Sequence, residues 1–204
     1  MSSFYEKHIL PHAIDWVCGL PSFEQGRKLL VPQAAGRVLE IGMGTGRNLP
    51  YYQASQLQCL CGIDPGLHPK AERRARVAGI EVQGIPLSAE RIPADNHSFD
   101  CVVSTFTLCT IPDAATALKE LHRVLAPGGQ LLFLEHGAAP DAPVRRWQDR
   151  LTPPWRRAAG GCHLNREIPQ LIEAAGFKVR ELHENYQPGP RFLTYLYRGS
   201  ATRQ

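Results

Sequence analysis

Short apolar runs alternate with amphipathic segments from residue 37 onward, and that alternation predicts the layers of a parallel α/β sheet. Strands are expected over 37–41, 57–63, 80–84, 99–104 and 130–135. Helices are expected to open over 48–53 and to span 69–78, 114–125 and 168–175. The turn residues Ala126, Pro127, Gly128 and Gly129 end one helix and feed the next strand at once, and Gly176 stops the last helix. Two more β-like runs, 177–182 and 191–198, are joined by Gln187, Pro188, Gly189 and Pro190, a connector too short for a crossover helix. They are therefore expected to pair antiparallel, completing a seven-stranded sheet. Ahead of the sheet, Phe4, Tyr5, Ile9, Ile14 and Trp16 mark an N-terminal helix, and Pro11, which fits only a first turn, places its start late.

A chain of 204 residues that is 43% hydrophobic and 21% charged can bury one sizeable core, so a single domain is expected. There is no run of about 18 apolar residues and no signal-peptide pattern at the N-terminus, which predicts a soluble, cytoplasmic protein. Six cysteines are too sparse for a disulfide scaffold. Cys59, Cys61, Cys101 and Cys109 fall in or beside strand runs and read as small core residues. No Cys-x-x-Cys pair or His-rich tract has zinc spacing, so no metal is expected. The net charge of +4 is regional: residues 144–167 hold six arginines against Asp149 and Glu167, which equals the whole excess. With no basic stripe elsewhere and no stacking motif, nucleic acid is not an expected partner. The segment 145–157, with Trp147 and Trp155 among its arginines, reads either as a solvated helix and loop or as a peripheral contact with an anionic membrane.

The candidate chemistry begins at Gly42, Gly44 and Gly46, three glycines at alternate positions directly after the apolar strand 37–41. A dinucleotide loop follows G-x-G-x-x-G, and here Arg47 fills the slot of that third glycine. Glu40 precedes the loop, where a carboxylate would repel a pyrophosphate but attract a cationic ligand such as S-adenosylmethionine, which carries a sulfonium and an ammonium. This disfavours an NAD-linked oxidoreductase, while a plain glycine-rich turn stays open as the simpler alternative. Asp64 closes the second strand and suits ribose hydroxyls; a turn aspartate before Pro65 and Gly66 is the other reading.

With these features, the segments 87–93, 98–100 and 123–129 stand in order, and over roughly 37–135 the chain resembles the class I S-adenosylmethionine-dependent methyltransferases of the UbiE/type-11 group. The resemblance implies a Rossmann-like fold: 1–36 as an N-terminal helical lid, 37–135 as the cofactor-binding core, and 136–204 as a substrate-side insertion with the terminal hairpin. It implies cofactor contacts from Glu40, Gly42, Met43, Gly44, Gly46, Asn48, Asp64 and Pro65. Ser88, Ala89 and Glu90 would meet the adenine, Ser88 replacing the usual aspartate, and 104–107, with Thr105, would line the methionine moiety. Beyond 135, Leu134, Glu135, His136, Trp147, Pro154, Trp155 and the run 161–167 look like the alkyl-thiol methyltransferases of animals and their bacterial relatives. Those animal proteins carry an N-terminal membrane anchor that this sequence is not expected to have.

Methyl transfer from a sulfonium is an in-line displacement that asks mainly for positioning, with the acceptor about 3 Å from the methyl. A thiol of pKa near 8.5 costs about 2 kcal/mol to ionise at pH 7, which one histidine can meet; an aliphatic alcohol would ask far more. His136, at the carboxyl end of the fifth strand, is the candidate base, with a structural strand-end histidine as the alternative. Tyr5, His8, His12, Cys162 and Asn165 are expected around the acceptor. Thr152-Pro-Pro-Trp155 lies after the wrong strand and begins with the wrong residue for the amine-binding motif of base methyltransferases. The expectation is S-methylation of a small thiol or sulfide. The alternatives are a membrane-associated lipid or quinone precursor as acceptor, or a cofactor-binding protein without turnover.

Overall fold

The computed structural model describes residues 9–66 and 68–203. Helices α1 (Leu10–Cys18) and α2 (Pro21–Leu30) precede β1 (Gly36–Ile41). Then follow β2 (Leu57–Ile63), α3 (Pro69–Ala78), β3 (Val82–Ile85), β4 (Phe99–Thr105), α4 (Ala114–Val124) and β5 (Leu125–His136). The chain closes with α5 (Ala142–Ala158), α6 (Ile168–Ala174), β6 (Phe177–Tyr186) and β7 (Tyr195–Arg203). The sheet order is β3-β2-β1-β4-β5-β7-β6, with β1 to β5 parallel and β7 antiparallel to both neighbours; the seven strands, mostly parallel with an antiparallel last hairpin, are as the sequence pattern predicts.

The central strands are apolar on both faces because helices cover both. On one face Leu39, Ile41, Val102, Leu131 and Phe133 pack with Leu118 and Leu121 of α4 and Ile172 of α6. On the other, Val38, Leu60, Val103, Leu132 and Leu134 meet Leu30 of α2 and Ala71 of α3. The order reverses between β1 and β4, and the crevice beyond their carboxyl ends is where such sheets bind ligands.

Five local expectations are corrected. Residues 48–53 form a single 3₁₀ turn, Leu49–Tyr51, instead of opening an α-helix, because Tyr52 turns extended and buries its hydroxyl on Glu40. β3 starts at Val82, since Gly79 is left-handed and Ile80 folds back as a helix cap, its N–H donating to the Ala75 carbonyl. β7 starts at Tyr195 after a 3₁₀ turn, Arg191–Leu193. The arginine-rich segment is one helix, α5, running through Pro153 and Pro154, whose missing N–H groups hide it from sequence reading. Cys59 is exposed, whereas Cys61, Cys101 and Cys109 are buried as expected. Among the described residues, no helix is long and apolar enough to cross a membrane.

Candidate active site

A cavity of about 500 Å³ opens at the carboxyl ends of β1, β2 and β4, and α1 covers it with Leu10, Pro11, Ile14, Asp15 and Cys18. Its floor is the glycine loop. Gly42 has φ +66°, and a Cβ there would lie 2.0 Å from the Thr107 hydroxyl, so only glycine fits. Gly44 also has positive φ, but a Cβ there would meet nothing nearer than the Gly42 carbonyl at 3.9 Å; the free space beside it belongs to the cavity. Gly46 is different: its Cβ would lie 2.9 Å from Ala71 Cα, and it is not among the lining residues. The third glycine lets the loop pack against α3 and does not line the cavity.

Besides Asp15 in the roof, two carboxylates of the described residues, Glu40 and Asp64, line the cavity. Glu40 is buried; it accepts from Asn48 Nδ2 at 3.1 Å and from the Tyr52 hydroxyl at 2.7 Å. Burial pushes its carboxyl up to about 7, against the opposing hydrogen bonds of Tyr52 and Asn48. Asn48 extends the network to the Thr105 hydroxyl and to Arg27, whose Nε donates to Asn48 Oδ1 at 3.1 Å. Arg27 is 3% exposed, lies 5.1 Å from the Phe106 ring centroid, and makes no salt bridge among the described residues. It is a buried cation at the cavity wall whose charge is not neutralised by direct contact. Asp64 accepts from the Gly44 N–H at 2.8 Å and from the Gly66 N–H at 2.7 Å, which fixes its carboxylate on the loop and leaves lone pairs free.

Asp15 holds the roof down. It accepts from Thr45 Oγ1 at 2.6 Å, Arg47 Nε at 2.9 Å, Lys70 Nζ at 3.0 Å and Arg74 Nη1 at 3.1 Å. Burial alone would raise its pKa and is the largest single influence, but the four donors together hold it well below the ordinary carboxylate range. Neither Asp15 nor Arg27 was anticipated from sequence. The available signal for Asp15 was one acidic residue inside the apolar stretch Ala13 to Val17.

At the other end of the cavity, Thr105, Phe106, Thr107, Thr110, Gly160 and Gly161 form the wall. Phe106 takes a left-handed backbone, φ +55°, and its ring packs edge-to-face with that of Phe23, centroids 5.2 Å apart. The buried Glu135 shapes this turn by accepting from the Ser104 hydroxyl at 2.6 Å and from the N–H groups of Thr107 and Cys109 at 3.1 and 3.2 Å. Ser104 therefore faces Glu135 and not the cavity.

Of the expected cofactor residues, Glu40, Gly42, Met43, Gly44, Asn48, Asp64, Pro65, Ser88, Ala89 and Thr105 line this one cavity. Glu90 does not: its carboxylate accepts from the Asp113 N–H at 2.7 Å and the Ser88 hydroxyl at 2.9 Å. Of the expected acceptor residues, His136 and Cys162 stand together behind the wall, Nδ1 to Sγ 3.8 Å, and the buried His136 Nε2 has no hydrogen-bond partner among the described residues. Asn165 lies away from the cavity, tied to Asp149 at 2.8 Å. His12 is exposed and meets the ring of His68, which does line the cavity, edge-on at 5.9 Å. Tyr5 and His8 lie outside the described residues.

The methyltransferase domain family matches residues 22–182, which takes in every strand through β5, Glu40, Asp64 and the His136–Cys162 pair. The chain belongs to that family. As a methyltransferase domain it is 33% identical, over 160 residues, to the thiol S-methyltransferase TMT1B of Rattus norvegicus; the match covers 75% of this chain and 64% of the relative. The chain thus spans less than two thirds of that relative's length. It is 34% identical over 115 residues to a demethylmenaquinone methyltransferase of Thermus thermophilus, covering 55% of this chain and 52% of the relative. In fold, the domain resembles the N-methyltransferase NodS of Bradyrhizobium japonicum, solved with S-adenosylhomocysteine, with a TM-score of 0.65 at 19% identity over 92% of this chain and 91% of that one.

Proposed function

We propose that this methyltransferase domain moves a methyl group from S-adenosylmethionine to the sulfur of a small thiol or of sulfide. The residues fit that cofactor. Gly44 leaves the loop open beside a cavity of suitable size, Asp64 offers lone pairs to ribose hydroxyls, and Ser88 and Ala89 offer the adenine wall. Arg27, a buried cation at the cavity wall, would hold the cofactor's carboxylate, and Glu40 would balance its positive charges through the Asn48 network. When bound, the cofactor supplies an electrophilic methyl on a sulfonium.

The acceptor reading is carried by His136 beside Cys162 next to the wall of Thr110, Gly160 and Gly161, together with the likeness to thiol S-methyltransferases. Methyl transfer to sulfur needs the acceptor held in line and one proton removed. His136 is the proposed proton acceptor: Nδ1 is turned to Cys162, and Nε2 has no partner among the described residues. The apolar atoms of Phe106 and Ile111 keep water from competing.

The deciding experiment is methyl transfer from labelled S-adenosylmethionine to sulfide, alkyl and aryl thiols, phenols, amines and phosphatidylethanolamine, for wild type and His136→Ala. Turnover on thiols, with the variant's pH optimum displaced upward, is the expected result. A preference for oxygen or nitrogen acceptors would sink the thiol reading, and tight cofactor binding without turnover on any acceptor would favour a binding protein.

One observation favours a second reading, a lipid or quinone precursor taken at a membrane surface. Ile9, Ala13, Trp16, Val17 and Leu20 form an exposed apolar stripe on α1 and its end, and Gly160, just past the end of the arginine-rich α5, packs near Leu10 and Ile14 of α1. Sedimentation with anionic vesicles and turnover on their lipids alone would select it.

A further inference from the structure

Behind the wall at the acceptor end of the cavity stands a pair of cysteines that methyl transfer does not itself require. Thr110 and Gly161 line the cavity, and their neighbours in sequence are Cys109 and Cys162. The two segments are locked side by side: the His163 N–H donates to the Cys109 carbonyl at 2.8 Å, and His163 Nδ1 lies 3.2 Å from the same oxygen. Gly161, at φ +94°, permits this approach, since a Cβ there would lie 3.1 Å from the Thr110 carbonyl. Cys162 Sγ lies 3.8 Å from His136 Nδ1, and its other sulfur neighbour is the thiol of Cys109.

The surroundings give the two sulfurs unequal roles. Contact with the Cys109 thiol is the largest influence on Cys162; with the neighbouring His136 and Trp155 it outweighs burial and lowers the Cys162 pKa. The same contact, reinforced by burial, raises Cys109. The surroundings thus favour the thiolate at Cys162, which is half-buried, over Cys109, the buried thiol beside it.

We propose that Cys162 and Cys109 form a dithiol site for low-molecular-weight disulfides, the oxidised form of the acceptor class, and that it closes as a Cys109–Cys162 disulfide. The choice of ligand rests on the thiol reading above; the dithiol chemistry does not. The Cys162 thiolate attacks one sulfur of R–S–S–R, the disulfide bond breaks, and RS⁻ leaves with the proton that Cys162 had given up. Cys109 then loses its proton to the second leaving sulfur as it attacks Cys162, which releases the second thiol. Two protein thiols are oxidised by two electrons, and one small disulfide is reduced to two thiols. The new bond removes His136's sulfur partner and fixes the wall of the acceptor end, so methyl transfer stops, while the cofactor end around Gly44 and Asp64 is untouched.

The test uses the full chain treated with bis(2-hydroxyethyl) disulfide, alkylation of the remaining thiols, and peptide mapping without reductant. The expected result is a Cys109–Cys162 linked peptide, loss of methyl transfer that dithiothreitol restores, and unchanged calorimetric binding of S-adenosylhomocysteine. Cys109→Ser should stop at a hydroxyethyl adduct on Cys162, and Cys162→Ser should show neither adduct nor link at Cys109. Modification confined to Cys59 and Cys18, or a linked peptide with methyl transfer undiminished, would overturn the proposal. If no thiol acceptor is ever methylated but the link and the Cys162 adduct form, the dithiol site stands and the acceptor reading falls.

Discussion

The Thr45 hydroxyl donates to Asp15 Oδ1 at 2.6 Å, so a carboxylate in the N-terminal helix is bonded directly to the glycine loop that forms the cavity floor. Arg47, Lys70 and Arg74 converge on the same carboxylate, and Gly19 leaves room for the Arg47 guanidinium, which a Cβ would meet at 2.3 Å. Roof and floor are thereby one electrostatic unit.

Asp15→Ala leaves three cations facing one another without their shared anion. Breaking a buried pair costs about 3–5 kcal/mol and an exposed one under about 1, and the partly exposed cations here place the expected loss near 2 kcal/mol. Because the folded pKa of Asp15 is depressed, this contribution is present above its unfolded pKa near 4 and is lost only as acid protonates the folded carboxyl. Urea unfolding at pH 7 measures the stability loss, and calorimetry should show weaker cofactor binding. Full affinity in a folded variant would mean that α1 is not part of the binding site.

Glu40 titrates in the neutral range. Its folded pKa, about 7, lies above the unfolded value, so the folded state takes up a proton first and stability declines as pH rises from about 4.5 through 7. Glu40→Gln should flatten that slope in unfolding titrations. In the wild type, S-adenosylmethionine should bind more weakly at pH 6 than at pH 8, since ionised Glu40 favours a cation, and S-adenosylhomocysteine, without the sulfonium, should change less. Equal pH dependence for the two ligands would remove Glu40 from the role of counter-charge.

Gly42 and Gly44 should fail differently when changed to alanine. At Gly42 the methyl would collide with Thr107 at 2.0 Å and the backbone would be strained, so loss of folding stability is expected, readable as a lower Tm. At Gly44 the protein has room, and with only the left-handed backbone strain, on the order of 1 kcal/mol, the fold should survive. Its defect should appear in cofactor affinity. A Gly44→Ala protein that binds normally would show that the open space beside it is not used.

Glu135→Ala strands the Ser104 hydroxyl and two backbone N–H groups in the interior. Each unsatisfied group costs about 1–3 kcal/mol, so a loss of about 3 kcal/mol or more is expected in denaturant unfolding. Glu135→Gln keeps one acceptor oxygen and should fall between the two. A small loss for alanine would mean that water replaces the carboxylate.

Much of the site was legible before any fold was known, because the signals are local. The glycines follow an apolar strand, and Asp64 ends the next one, so both had to reach the same sheet edge once the strands lay parallel. Gly46 and Glu90, expected at the cofactor, do not line the cavity, and for one reason. Their positions in the motif are right, but the direction in which each faces is set by neighbours from elsewhere in the chain, Ala71 for the glycine and Asp113 for the carboxylate.

Hydrophobic period and turn chemistry act over a few residues, so the sequence by itself determined the strand order's raw material, the antiparallel end of the sheet and the loop beside the cavity. Only the tertiary structure decided that Arg27, 21 residues from Asn48, is buried against it, that Asp15 reaches across to Lys70, and that His136 turns to Cys162 behind the cavity wall. Those pairings depend on how separate helices pack on the sheet. Side chains that are polar, isolated in sequence and satisfied only by distant partners carry no periodic signal of their own, and packing alone brings their partners to them.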